Sequence, residues 1–422
     1  MQLMFSQIMV MKWLGAVAAV WVASAMPGHA ENELKCALDG LVGFPQSWEI
    51  TPDQLEKDFG GEKGKNMKWL TKDRTRAKFS RTLYGNVEID LTMFEGQMPV
   101  EEAVVDFVNG KVNVITVSVF NRGDGGDITK AEFEKRFKLC GAAMSKNLQA
   151  KPSVSKADKT QGLLSEGYRW NSPHGVAVLE YNEGALTDAA REFLRLRVSR
   201  KGATGGLAAS MLSSRGGAAV RLSDLPRNVV KDAEGTTTVG GLPMVDQGNK
   251  GYCVVASVQR LFEYYGIGAD MHQIAQVAEA DPEKGTSTMS MAKELDKIDY
   301  RFKTRLKILG MTAERGGLVE VERDFIVGKP IDEAAFLKRI RTYINDGLPV
   351  LWSLQLGQFP ETPNLNPQTA GGHMRIIHGY NDKEQTIVFT DSWGAGHEQK
   401  TMKMSDAYKA TNGIFVLQPT VR

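Results

Sequence analysis

Charge of one sign is missing from this sequence: 52 basic side chains stand against 50 acidic ones in 422 residues. A chain so balanced has no bulk attraction to a polyanion, so nucleic acid is not expected as a partner. The local basic stretch Lys72, Arg74, Arg76, Lys78 and Arg81 reads as a solvated face. Long apolar runs are missing too. A membrane helix needs about 20 apolar residues, and the longest run, Trp13 to Ala25, falls short of that. Beyond one Gly/Ala/Ser-rich stretch there is no repeat or low-complexity tract. No metal, nucleotide or organic cofactor motif is visible: Gly202–Gly206 lacks the strand–helix context of a phosphate loop, so no cofactor is expected. Cysteine is scarce, at three residues, Cys36, Cys140 and Cys253.

What is present begins with an address. Lys12 precedes the short apolar run, and Gly28-His29-Ala30 places small residues where a signal peptidase reads them. Residues 1–30 are therefore expected to be a secretory signal, cleaved after Ala30, which makes the protein secreted or periplasmic with no stable membrane span afterwards. In an oxidising compartment an odd cysteine count leaves one thiol over. Cys36 and Cys140 flank one folded region and form the natural pair for a candidate disulfide, which would close a loop of about 100 residues. Cys253 is then the free thiol.

Residues 31–200 read as an α+β domain. Thr51 is a helix N-cap and Gly60 a stop signal for a helix through Phe59. Val87–Thr92 and Val112–Val119 alternate as strands of a half-buried antiparallel sheet, Thr129–Leu148 is an amphipathic helix, and strands resume at 175–181 and 193–198. His174, in a turn after Ser172-Pro173, reads as a surface imidazole. Residues 201–224 are Gly/Ser-rich and lack the apolar periodicity to pack, as a linker does. Residues 225–422 form a second domain, also mixing helices and strands.

The chemistry lies in that second domain. Asp246-Gln247-Gly248-Asn249-Lys250-Gly251-Tyr252-Cys253 is a polar, glycine-bearing loop that runs into Val255–Tyr265, where Val258, Leu261, Phe262 and Tyr265 recur at helical spacing. Cys253 thus opens a helix, whose positive end and unpaired N–H groups favour thiolate over thiol. A buried structural cysteine would be preceded by packing residues, and this loop is too polar for that. About 120 residues on, Gly371-Gly372-His373-Met374-Arg375-Ile376-Ile377-His378-Gly379-Tyr380 supplies a histidine at the start of an apolar strand, and Phe389-Thr390-Asp391-Ser392-Trp393-Gly394 follows. His378, near the far end of its strand, reads as structural, and His272 and His397 are weaker candidates.

These motifs resemble papain-like cysteine peptidases, whose signature places a glutamine six residues before the nucleophilic cysteine; Gln247, Gly248, Gly251 and Cys253 match it. The resemblance implies that Cys253 is the nucleophile, His373 the imidazole paired with it, Asp391 the group that orients the imidazole where papain-like enzymes carry asparagine, and Gln247 an oxyanion-hole donor. Asp391-Ser392-Trp393-Gly394 is a near match to the family's Asn-Ser-Trp-Gly run. Helix 336–344 followed by Gly347-Leu348-Pro349-Val350 is similar to bacterial peptidases of the bacteriocin-leader-processing, C39-like type. Lys250 and Val254 depart from papain itself, so the disulfide beside its nucleophile is absent. The resemblance covers residues 240–418 and implies a peptide or protein substrate. Two other readings keep the same residues: a transglutaminase-like acyl transferase, and a catalytically silent secreted binding protein. Residues 31–200 would be a pro-region, released by cleavage near Arg215, Arg221 or Arg227, or a recognition domain.

Overall fold

Local capping chemistry sets the first elements of the computed structural model, which describes residues 34–83, 88–156, 165–203, 220–248, 251–277, 292–293, 296, 299–312, 317–322, 326–365 and 371–421. The Thr51 hydroxyl accepts the Gln54 N–H and the helix Pro52–Phe59 follows, closed by Gly60. Thr129 does the same for Glu132 at the head of Lys130–Asn147. The expected signal segment and 204–219 of the expected linker lie outside the described residues. Residues 34–422 form one compact unit with two hydrophobic cores, one within residues 36–198 and one within 225–417. Among the described residues no helix is long and apolar enough to cross a membrane.

The first core lies under an eight-stranded antiparallel sheet. Its order is Lys68–Trp69, Arg76–Ser80, Glu102–Val108, Lys111–Asn121, Phe193–Ser199, Gly175–Asn182, Ser165–Ser172 and Ser153–Ser155. Because side chains alternate across a strand, Ala77, Phe79, Val105, Ile115, Val117, Leu196 and Val198 share one face. They pack with Phe133, Phe137 and Met144 of the long helix. The opposite face carries Arg76, Lys78, Glu102, Thr116, Arg195 and Arg197. The sequence predicts a half-solvated sheet, and this is where it is corrected: Arg76, Lys78, Arg195 and Arg197 are only 4–7% exposed, because the second half of the chain packs on that polar face. Arg195 sits between Glu180 at 2.8 Å and Asp270 at 2.7 Å. Buried charges need such partners.

The expected Cys36–Cys140 bridge is not formed; all three cysteines are free. Cys36, on the strand Leu34–Ala37, donates to the Phe59 carbonyl at 3.6 Å, while Cys140 in the long helix lies 3.2 Å from the Met98 sulfur. An odd count says that one thiol is left over, not that the other two meet. Burial pushes the Cys36 thiol up to about 11 and the Cys140 thiol up to about 12, so both are inert hydrophobes.

The second core joins helices to a ten-stranded antiparallel sheet. Gly371–Asn381 runs through its middle, paired with Val350–Leu356 on one side and with Thr236–Val239 and Thr386–Thr390 on the other. Helix Cys253–Tyr264 and helix Glu333–Asn345 cover the sheet. Gly347 ends the second helix at φ +73°, where an added Cβ would lie 2.2 Å from the Leu225 carbonyl oxygen, so only glycine fits.

Candidate active site

Cys253 is the first residue of its helix, behind Tyr252, and its side chain is half-buried. Nothing on Tyr252 caps the helix, so the dipole's positive end is open to the sulfur. Two residues on the same helix face stitch it to its surroundings. The Ser257 hydroxyl, one turn on, donates to the Met374 carbonyl at 3.5 Å. The fully buried Arg260, two turns on, donates to the carbonyls of Pro243 at 2.7 Å and Asp391 at 2.9 Å, and to the Thr390 hydroxyl at 2.8 Å. Burial brings that guanidinium down to about 10.

His373 interacts with the Cys253 thiol strongly enough to shift the titration of both groups, and its Nε2 lies 3.2 Å from Asp391 Oδ1. The indole of Trp393 stacks on the imidazole, 4.6 Å between centroids and 19° between planes, which fixes the ring and keeps water from one face. Burial works against a Cys253 thiolate, but the hydrogen bond and charge of His373, with the backbone N–H groups of Met374 and Val254, outweigh it and draw the thiol below its ordinary range. Burial likewise works against a charged His373, and the hydrogen bonds to Asp391 and Cys253 raise it above the ordinary imidazole range. Both shifts run in the direction that favours a thiolate–imidazolium pair.

Gln247 lies buried in the loop before the helix, and its N–H donates to the Ser392 carbonyl at 2.9 Å. That bond ties the Gln247 loop to the residue next to Asp391. His378, His272 and His174 stand elsewhere. His378 is buried, its Nδ1 3.4 Å from the Val239 carbonyl, and burial takes it down to about 4, so it is neutral at pH 7. The His272 ring meets the Tyr252 ring edge-on, and the His174 carbonyl accepts from Trp48. His397, weak as a sequence candidate, lies closer to the site than expected, its Nδ1 3.9 Å from Asp391 Oδ2.

Sequence reasoning missed what surrounds Asp391. The carboxylate is fully buried, and besides His373 it meets Arg375 Nε at 2.7 Å through Oδ1 and Lys400 Nζ at 3.1 Å through Oδ2. Glu361 bridges the same two cations, 2.6 Å from Arg375 Nη1 and hydrogen-bonded to Lys400. Two carboxylates and two cations thus neutralise one another. Although Asp391 is deeply buried, its contacts to His373, His397 and Arg375 hold it well below the usual carboxylate range. One signal was available: Arg375 is a charge inside an apolar strand, two residues after His373 and so on the same face. Lys400 and Glu361 carry no local mark.

The family comparison agrees with this geometry. No curated protein matches the chain. Residues 240–414, which span the Cys253 helix, the His373 strand and Asp391, match the model of the Peptidase_C39 like family.

Proposed function

We propose that the protein is an exported cysteine peptidase that hydrolyses peptide bonds through Cys253, His373, Asp391 and Gln247. The observation that carries the reading is the His373 ring, 3.2 Å from the buried Asp391 carboxylate through Nε2 and coupled to the Cys253 thiol at the head of its helix. Family and geometry support it independently. The thiolate attacks the carbonyl carbon, forming a C–S bond, while the Gln247 amide and the Cys253 N–H receive the developing oxyanion. His373 gives its proton to the leaving nitrogen and the C–N bond breaks. The neutral imidazole then takes a proton from water, which attacks the thioester and releases the acid and the thiolate. Asp391 holds the ring in the tautomer that faces sulfur with one nitrogen and carboxylate with the other.

The pH dependence of thiol alkylation tests the core of this reading. Iodoacetamide is expected to alkylate Cys253 with a half-point below the roughly 8.5 of a free cysteine. In His373→Ala burial is opposed only by the backbone N–H groups of Met374 and Val254, and the half-point should rise from its wild-type value. An unmoved half-point would remove the ion pair from the mechanism. Peptide-library cleavage by the full chain, with and without an added amine, then separates hydrolysis from acyl transfer: water should win. Export is tested at the other end of the chain, where sequencing of the mature protein is expected to begin at Glu31 and an intact Met1 would count against it.

A further inference from the structure

The polar face of the amino-terminal sheet meets the peptidase segment at the loops that frame Cys253. Lys78, 6% exposed, donates to the Asp246 carbonyl at 3.1 Å and pairs with Glu102 at 2.8 Å. Lys68 reaches the Asp246 carboxylate at 2.8 Å and the Trp393 carbonyl at 3.5 Å. Asp246 in turn accepts the Gly248 N–H at 3.0 Å through its other oxygen, and its backbone bridges to Trp393. Gln247 therefore stands between two residues fixed from the other half of the chain, in a loop where Gly248 holds φ at +68°.

The same sheet also grips the Cys253 helix. Arg76 forms a two-point contact with Glu263, at 2.7 and 3.2 Å. Glu263 accepts from Gln259, one turn earlier, at 2.6 Å, and Gln259 accepts the Met271 N–H at 2.7 Å. At the helix start, Gly123 approaches so closely that an added Cβ would lie 2.9 Å from the Tyr252 hydroxyl. These contacts fall on Asp246, Tyr252, Glu263 and Trp393, while Cys253 keeps part of its surface open. A pro-region works by filling the cleft; these contacts set the geometry of its walls.

We propose that residues 34–200 are a fixed scaffold of the active site, in which Lys68 and Lys78 are positioning residues that hold the Gln247 loop in its oxyanion-binding geometry. The inference rests on the cysteine-peptidase reading above. A detachable inhibitor would leave the loop competent when removed; this scaffold is needed for the loop to be competent at all. Loosening the loop weakens only steps that pass through an oxyanion. Acylation of Cys253 by p-nitrophenyl acetate is such a step, since the thiolate adds to the ester carbonyl and p-nitrophenolate leaves. Alkylation by iodoacetamide is not, since the thiolate displaces iodide from carbon directly.

The experiment measures both rates on the full-length chain, subtracting the Cys253→Ala background. For Lys78→Met, acylation is expected to fall about 10- to 100-fold, short of the 10²–10³ that complete loss of an oxyanion donor costs, with alkylation unchanged within about twofold. Lys78→Arg, which can still donate to the Asp246 carbonyl, should recover part of the loss. Lys68→Met, at a half-exposed position, carries the same comparison if Lys78→Met does not fold. Both rates unchanged, or both falling together in a folded variant, overturns the scaffold role. A wild-type chain that alkylates at Cys253 but shows no Cys253-dependent ester burst overturns the peptidase reading, and this inference with it.

Discussion

Cys253→Ala is expected to reduce peptide hydrolysis on the order of 10⁶-fold in kcat, the loss seen when a covalent nucleophile is removed from an otherwise intact site. Neither of the other two thiols can take over. Cys36 and Cys140 are buried in the amino-terminal core with their thiols pushed up to about 11 and about 12, so neither provides a thiolate at neutral pH. Whatever survives comes from substrate binding and the oxyanion donors alone. Thiol titration on the same samples reads the assignment without any substrate. The native chain should expose one reactive thiol and the variant none. Unfolded without reductant, the wild type should titrate three, because no cysteine is bridged, whereas a Cys36–Cys140 disulfide would leave one. Hydrolysis that persists in the variant would remove Cys253 from the mechanism, whereas a wild type that hydrolyses no peptide would favour the reading in which the papain-like segment only binds.

The features legible in the sequence are those whose cause is local. Thr51 and Thr129 start helices because a hydroxyl within three residues satisfies an orphan N–H. Cys253 could be picked out because a polar, glycine-bearing loop leads into its helix, and His373 and Asp391 because the runs around them resemble those of papain-like peptidases. The polar network around Asp391 could not. Arg375 pairs with Glu361 across 14 residues, and Lys400 with Glu361 across 39; the apolar strand around Arg375 marks it as buried but does not name its partners, and nothing local distinguishes Lys400 or Glu361 from solvated charges. Arg76 and Lys78 show the same limit from the other side. Alternation reveals that they share a face with Glu102, but not that Glu263 and Asp246 from the second half of the chain will cover that face. The disulfide expectation failed for a related reason, since pairing is a fact of three-dimensional proximity.

Asp391→Asn changes meaning once that network is included. From the sequence alone it reads as a mild change, since asparagine occupies the equivalent place in papain-like enzymes. In this chain the Asp391 carboxylate also neutralises Arg375 and Lys400, all three being at most 1% exposed. An asparagine would keep a hydrogen bond to His373 but leave two buried cations facing Glu361 alone. Breaking a buried pair by removing one partner costs about 3–5 kcal/mol, so the variant is expected to lose that much unfolding free energy in urea at pH 7. Asp391→Asn/Lys400→Met restores the charge count, with Arg375 and Glu361 still paired at 2.6 Å, and should recover part of the loss; equal instability in single and double variants would discard the charge-balance account. The pH dependence has a definite sign. A carboxyl held well below its usual range in the folded state contributes its full stability above the unfolded value of about 4. That contribution is lost as pH falls below it, so wild type and Asp391→Asn should differ most at neutral pH and converge in acid. In the fraction that remains folded, hydrolysis should fall less than in His373→Ala, because the imidazole is still present and still oriented. The defect of Asp391→Asn therefore belongs mainly to folding, and that of His373→Ala to the chemical step.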